Sequence, residues 1–249
     1  MPLEWMPAPA PQLAYAMGVV LFAGMVRGFA GFGFSALTVA GMALFFSPAQ
    51  VVPAAFVLEV LASVSMLRSV WGKIDWGWLK PLLIGNAIAI PIGVGMLAAV
   101  AEAPLRMTVS LVILAAAILL LTGFHPPWKD SPALRLATGF VSGILNGLAA
   151  IGGMAVAVML FATTITGAAA RATLVALFFA TDLYALAWAG WNGLLGSKLA
   201  LWVAWLLVPM LVGIWIGSRH FLKVDEAGFR RGVLSVLALI AGIGLVRSV

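Results

Sequence analysis

Residues 24–35 read GMVRGFAGFGFS and residues 143–153 read GILNGLAAIGG, and the fold follows from what these two stretches interrupt. Each separates two short apolar runs. Leu13–Val26 and Phe34–Phe46 flank the first; Leu134–Leu145 and Met154–Ile165 flank the second. The four runs hold 14, 13, 12 and 12 residues. A helix rises ~1.5 Å per residue, so crossing ~30 Å of hydrocarbon takes ~20 residues. All four runs fall short. Three more apolar runs follow in each half: Val51–Leu67, Leu79–Val100 and Leu105–Gly123, then Ala168–Ala189, Leu199–Gly217 and Val233–Val246. These are long enough to span, apart from the last, which is short.

The composition says which solvent surrounds these runs. Of 249 residues, 64% are hydrophobic and 9% charged, and mean hydropathy is +1.15. Soluble domains sit near ~45–50% apolar and ~25% charged. The chain therefore needs a lipid bilayer as its solvent. A water-soluble enzyme, a disordered tail and a nucleic-acid-binding module are excluded. Cysteine is absent and only His125 and His220 are histidines, so no metal site and no cofactor is expected. No phosphate-binding loop and no nucleophile elbow occurs, and no enzymatic activity is expected. The N-terminal MPLEWMPAPAPQ has no Lys or Arg, so no cleaved signal peptide is expected.

The two halves repeat. Sliding the second half back by 119 positions (147 minus 28) puts Gly147 on Gly28. The same shift puts Gly143 on Gly24, Ala149 on Ala30 and Gly152 on Gly33. Each long fourth run carries a central proline, Pro91 or Pro209. Five runs per repeat is an odd number, so the second repeat enters from the opposite face and the duplication is inverted. The expected fold is an all-α polytopic membrane protein of two inverted repeats, each of five apolar helical segments. The first two segments of each repeat are short and broken at a Gly-rich link. The boundaries are 1–123 for the first repeat, 124–133 for a cytoplasmic linker and 134–249 for the second repeat.

Charge placement agrees with this topology. With both termini outside, the inside holds Arg68, Lys73, Lys80, Lys129, Arg135, Arg171, Arg219, Lys223, Arg230 and Arg231. The outside holds Arg106, Lys198 and Arg247. Basic residues concentrate on the cytoplasmic side of membrane proteins, so the net +6 is a topology signal. Trp71, Trp76, Trp78 and Trp128 sit in or beside inside loops, as interfacial anchors do.

Broken helices at membrane depth persist only where the backbone is buried in protein or lines a wet cavity. Two such breaks entering from opposite faces would bring two helix N-termini to one place near the midplane. Helix N-termini favour anions. The expected substrate-binding residues are Arg27, Gly28, Gly31, Phe32, Gly33, Asn146, Gly147, Gly152 and Gly153. The glycines let an anion approach the backbone. Arg27 offers a planar fork for an oxyanion, or else it neutralises Glu59 and only positions helices. Glu59, Asp182 and Arg171 are read as coupling or charge-pairing residues. Arg171 and Asp182 stand too far apart along one helix to pair. The small-residue spacings at Gly24/Gly28, Gly139/Gly143/Gly147 and Gly213/Gly217 point to close helix packing within a monomer, with a homodimer also open.

At these residues the chain resembles the sulfite exporter TauE/SafE family. The resemblance rests on length, the duplication and the two quoted links, and covers essentially the whole chain. It implies a permease exporting sulfite or an organosulfonate such as sulfoacetate, in the bacterial inner membrane. The rival reading is a cation or metal permease using Glu59 and Asp182. The expected partners are a small anionic substrate and the lipid bilayer, with no nucleic acid.

Overall fold

The computed structural model describes residues 6–122, 130–161, 165–220, 235 and 238–246. Among them every regular element is helical, as lipid requires of a chain that must satisfy its own backbone. The elements are α1 (Ala10–Ala30), α2 (Phe34–Met42), α3 (Pro48–Val70), a 3-10 turn (Trp71–Lys73), α4 (Trp76–Ala99) and α5 (Glu102–Leu121). Then come α6 (Pro132–Ala149), α7 (Gly152–Phe161), α8 (Gly167–Trp191) and α9 (Leu199–His220). Residues 238–246 are helical too. Six helices are long and apolar enough to cross a membrane: α1, α3, α4, α5, α8 and α9. Residues 124–129 of the expected linker lie outside the described residues, as do Trp128, Lys129, Lys223, Arg230, Arg231 and Arg247.

Local chemistry starts these helices. Asp75 accepts from the Gly77 and Trp78 N–H groups at 2.9 and 3.1 Å to open α4. Ser131 accepts from Leu134 N–H at 3.2 Å to open α6, and Thr166 from Ala169 N–H at 3.3 Å to open α8. Each side chain satisfies a donor that has no partner inside its own helix. Arg135 ties the start of α6 to α4, donating to Gly77 O at 2.8 Å and lying over the Trp78 ring. It also pairs with Asp130 at 2.6 Å, and that hydrogen bond holds the Asp130 carboxyl below its ordinary value.

One expectation needs correction. The first segment of the first half is long enough to cross a membrane, and that of the second half is longer than expected but is not among the helices that can. α1 has 21 residues and α6 has 18, because each helix continues through its Arg27 or Asn146 position instead of stopping before it. The polar side chains find partners inside the protein, so neither breaks its helix. The breaks shrink to Gly31–Gly33 and to Ala150–Ile151. Gly31 ends α1 in the left-handed region at φ 80°, and Ala150 ends α6 there at φ 56°. Among the described residues Ala150 is the one non-glycine with positive φ. The second segments are short, as expected: α2 has 9 residues and α7 has 10.

Packing follows the glycines. α1 lies along α9, where a Cβ on Gly24, Gly28, Gly213 or Gly217 would strike the facing backbone. α4 lies along α6 in the same way through Gly85, Gly93, Gly139 and Gly147. α3 packs against α8. Every residue of α2 is buried, whereas α5 has only about a fifth (22%) of its apolar window buried. The short helices are thus the inner layer.

Candidate functional site

The site grows from the end of α1. Arg27 sits in its last turn and is fully buried. Its Nη1 donates to Gly31 O, a carbonyl at the end of its own helix. Its Nη2 donates to Ser63 Oγ at 2.8 Å and lies 2.8 Å from Glu59 Oε1. Its guanidinium carbon stands 4.6 Å from the centre of the Phe178 ring. Ser35, in the first turn of α2, donates to the other Glu59 oxygen at 2.6 Å. Glu59 and Ser63 occupy one face of α3, four residues apart and 1% and 0% exposed.

The second half supplies a counterpart. Asn146, in the last turn of α6, donates to Asp182 Oδ1 at 2.6 Å. Asp182 Oδ2 has no hydrogen-bond partner among the described residues. Asn146 reaches 36 residues ahead to Asp182, and Arg27 reaches 36 residues ahead to Ser63. Asp182 is therefore the positional match of Ser63, and Phe178 the match of Glu59. Asp182 is near enough to feel the charges of both Glu59 and Arg27.

Between the two breaks lies a narrow cleft with room for about one water molecule, ≈ 10 Å³. Gly33, Ser35 and Ala36 line it from the start of α2; Ala150, Ile151, Gly153 and Met154 line it from the start of α7. Glu59 and Phe178 complete the wall. Two helix N-termini therefore border one cavity. The first main-chain bond into α2 is from Leu37 N–H to Gly33 O at 3.1 Å. The N–H groups before it, at Phe34, Ser35 and Ala36, are the ones a helix leaves open.

The expected residues divide between two tasks. Gly33, Gly153 and Glu59 line the cleft, and Arg27 stands behind Glu59. Gly28 and Gly147 instead face neighbouring backbone on α9 and α4. Gly31 packs on the Arg171 stem, and Gly152 on Ser142. Phe32 is buried at 6% exposure, outside the lining. Arg171 donates to Gly28 O at 2.7 Å, so two arginines meet the negative end of α1. Ser35, Ser63, Ile151, Met154 and Phe178 were not expected. Ser63 and Phe178 could have been found by asking which positions the repeat lays on Asp182 and Glu59.

The Arg27–Glu59 pair answers part of the question the sequence left open. In this conformation Glu59 neutralises Arg27, and the guanidinium does not face the cleft unaccompanied. A family model described as Sulfite exporter TauE/SafE matches residues 16–244. No curated protein and no solved structure matches the chain.

Proposed function

Because the chain belongs to the sulfite exporter TauE/SafE family, a family of membrane transporters, we propose that it exports a small sulfur-containing anion by alternating access. The anion is sulfite or an organosulfonate such as sulfoacetate. It binds in the cleft between the starts of α2 and α7, where it meets main-chain N–H groups and the Arg27 guanidinium. The observation that carries this reading is that two helix N-termini border one cavity whose wall includes Glu59, the partner of the buried Arg27.

On this reading the two halves are inverted repeats that rock against each other about the cleft. The exchanged packing supports it: the first helix of each half lies along the fourth helix of the other, α1 on α9 and α6 on α4. The equal reach of Arg27 to Ser63 and of Asn146 to Asp182 supports it too. The protein is placed across a bacterial inner membrane with both termini outside, in keeping with the basic residues of the intervening loops.

Flux in proteoliposomes tests the reading. Labelled sulfite or sulfoacetate should cross, and divalent cations should not. Removing Arg27 alone leaves Glu59 buried without its cation, a change that costs ~3–5 kcal/mol. The informative variant is Arg27→Ala with Glu59→Gln, which removes both charges together. It should fold and lose anion flux by at least tenfold. Cation flux that disappears in Glu59→Gln would favour a cation permease instead.

A further inference from the structure

We propose that the transported oxyanion leaves through a second anion site, a chamber at the far end of α2 walled by Arg106 and Ser110, and that one face of α2 joins this chamber to the central cleft. The proposal rests on the transporter reading above and adds the place its cargo occupies on the way out. The chamber has room for about two water molecules, ≈ 30 Å³. Ala40, Ala43 and Leu44 wall it from the end of α2 and the turn beyond. Arg106 and Ser110 wall it from α5, and Gly244 from the helical residues 238–246.

α2 connects the two cavities. Gly33 and Ala36 line the cleft, and Ala40 and Ala43 line the chamber. These four positions recur at intervals of three and four residues, so they fall on one face of the helix. Ala36 and Ala40 stand about one turn apart along it, ~6 Å. No side chain on this face is larger than a methyl group. α7 borders α2 at the cleft, α5 borders it at the chamber, and α5 and α7 touch each other. On this route, opening to the outside separates α2 from α5 and α7.

Arg106 gives the chamber its charge. It is expected on the outside, where membrane orientation calls for no basic residue. A guanidinium has five N–H donors. Nε and Nη2 each spend one on Glu102 Oε1, at 3.1 and 2.6 Å, and Nη1 spends one on Ala43 O at 2.6 Å. One donor on each Nη remains. The bond to Ala43 O holds the guanidinium at the chamber wall. Glu102 is not part of that wall, and its side chain is 53% exposed. A pair so well solvated is weak. An arriving oxyanion therefore meets two open donors and the Ser110 hydroxyl, with no buried ion pair to break. Arg106 is itself partly solvated, so the site can release what it binds, as an exit requires.

Ser110→Cys tests the chamber, since the chain has no thiol of its own. The purified full-length variant is treated with a sulfonate-bearing methanethiosulfonate and with its trimethylammonium counterpart, each rate being taken relative to a free thiol in solution. The anionic reagent should be favoured about tenfold. Arg106→Gln in the same background should abolish that preference, Glu102→Gln should increase it, and sulfoacetate should slow the labelling. A Cβ at Gly244 would already stand 2.8 Å from Ser110 Oγ, so Gly244→Leu fills the chamber. That variant should bind sulfoacetate as the wild type does, read as equal thermal stabilisation, and lose most of its flux in proteoliposomes. Equal rates for the two reagents, or reaction with neither, would overturn the chamber as an anion site while sulfoacetate flux left the transporter reading standing. Protection by phosphatidylglycerol and not by sulfoacetate would make it a lipid-phosphate site and overturn the exit. Full flux in Gly244→Leu would overturn the route along α2; should that variant fail to fold, the labelling ratio and its protection by sulfoacetate decide alone. Neither binding nor flux of sulfoacetate or sulfite by the wild type would sink the transporter reading, and the exit with it.

Discussion

Ala150 holds a conformation that L-residues avoid. A left-handed backbone at a residue with a Cβ costs ~1–2 kcal/mol, and Ala150 has φ 56° at the end of α6. The corresponding end of α1 uses Gly31 at φ 80°. Ala150→Gly should therefore stabilise the protein by ~0.5–1 kcal/mol, after allowing for the greater freedom glycine has when unfolded. Thermal unfolding in detergent reads this as a rise of a few degrees; a fall would mean that the Ala150 methyl contributes more through packing than its backbone costs. At this scale the sequence was informative but incomplete. Arg27, Glu59 and Asp182 stand out because charge is rare in apolar runs. That Arg27 pairs with Glu59 was one of two readings, and only the folding of α1 against α3 chose it. The Ser35 contact to Glu59 carries no comparable signal, since a serine in a membrane helix commonly bonds its own backbone.

Glycine plays different parts in different helices. Gly28 and Gly217 sit where α1 and α9 touch backbone to backbone, with no room for a Cβ. Gly95 in α4 has nothing within 4 Å of the place its Cβ would occupy. Gly28→Ala should push α1 from α9 and cost ~1–3 kcal/mol, as overpacking does. Gly95→Ala should be neutral or stabilising by up to ~1 kcal/mol, since alanine holds a helix better. The two unfolding temperatures, compared in the same detergent, check the contrast; equal shifts would refute the role of close packing between α1 and α9. The sequence had marked the GxxxG spacings as packing sites, and the structure puts them there. It had also assigned Gly28 and Gly147 to the substrate, a role that their contacts with α9 and α4 leave little room for. Spacing shows that a helix face is small; it does not say whether a helix or a cavity faces it.

For the whole molecule, the consequential expectation is inversion. Gly72 lies in the turn after α3 and Gly196 in the loop after α8. Both are exposed, and both have open space around the place of a Cβ. The chain has no cysteine, so Gly72→Cys and Gly196→Cys each introduce a single thiol. In intact cells a membrane-impermeant thiol reagent should label Gly196→Cys, and should label Gly72→Cys only after the membrane is opened. Labelling of both from the same side would remove the inverted arrangement and the alternating-access scheme built on it.

What the sequence determined alone was the solvent, the helical class, the family and the neighbourhood of the two breaks. Each is written in local composition: apolar content, run length, and glycine beside a single charge. What the tertiary structure decided was which groups meet the buried charges. Glu59, Ser63, Phe178 and Asp182 meet Arg27 and Asn146 because α3 and α8 pack together against the last turns of α1 and α6. Those residues are far apart along the chain, and in a low-dielectric interior a charge is stabilised only by what physically touches it. Contacts of that kind exist only once the helices have packed.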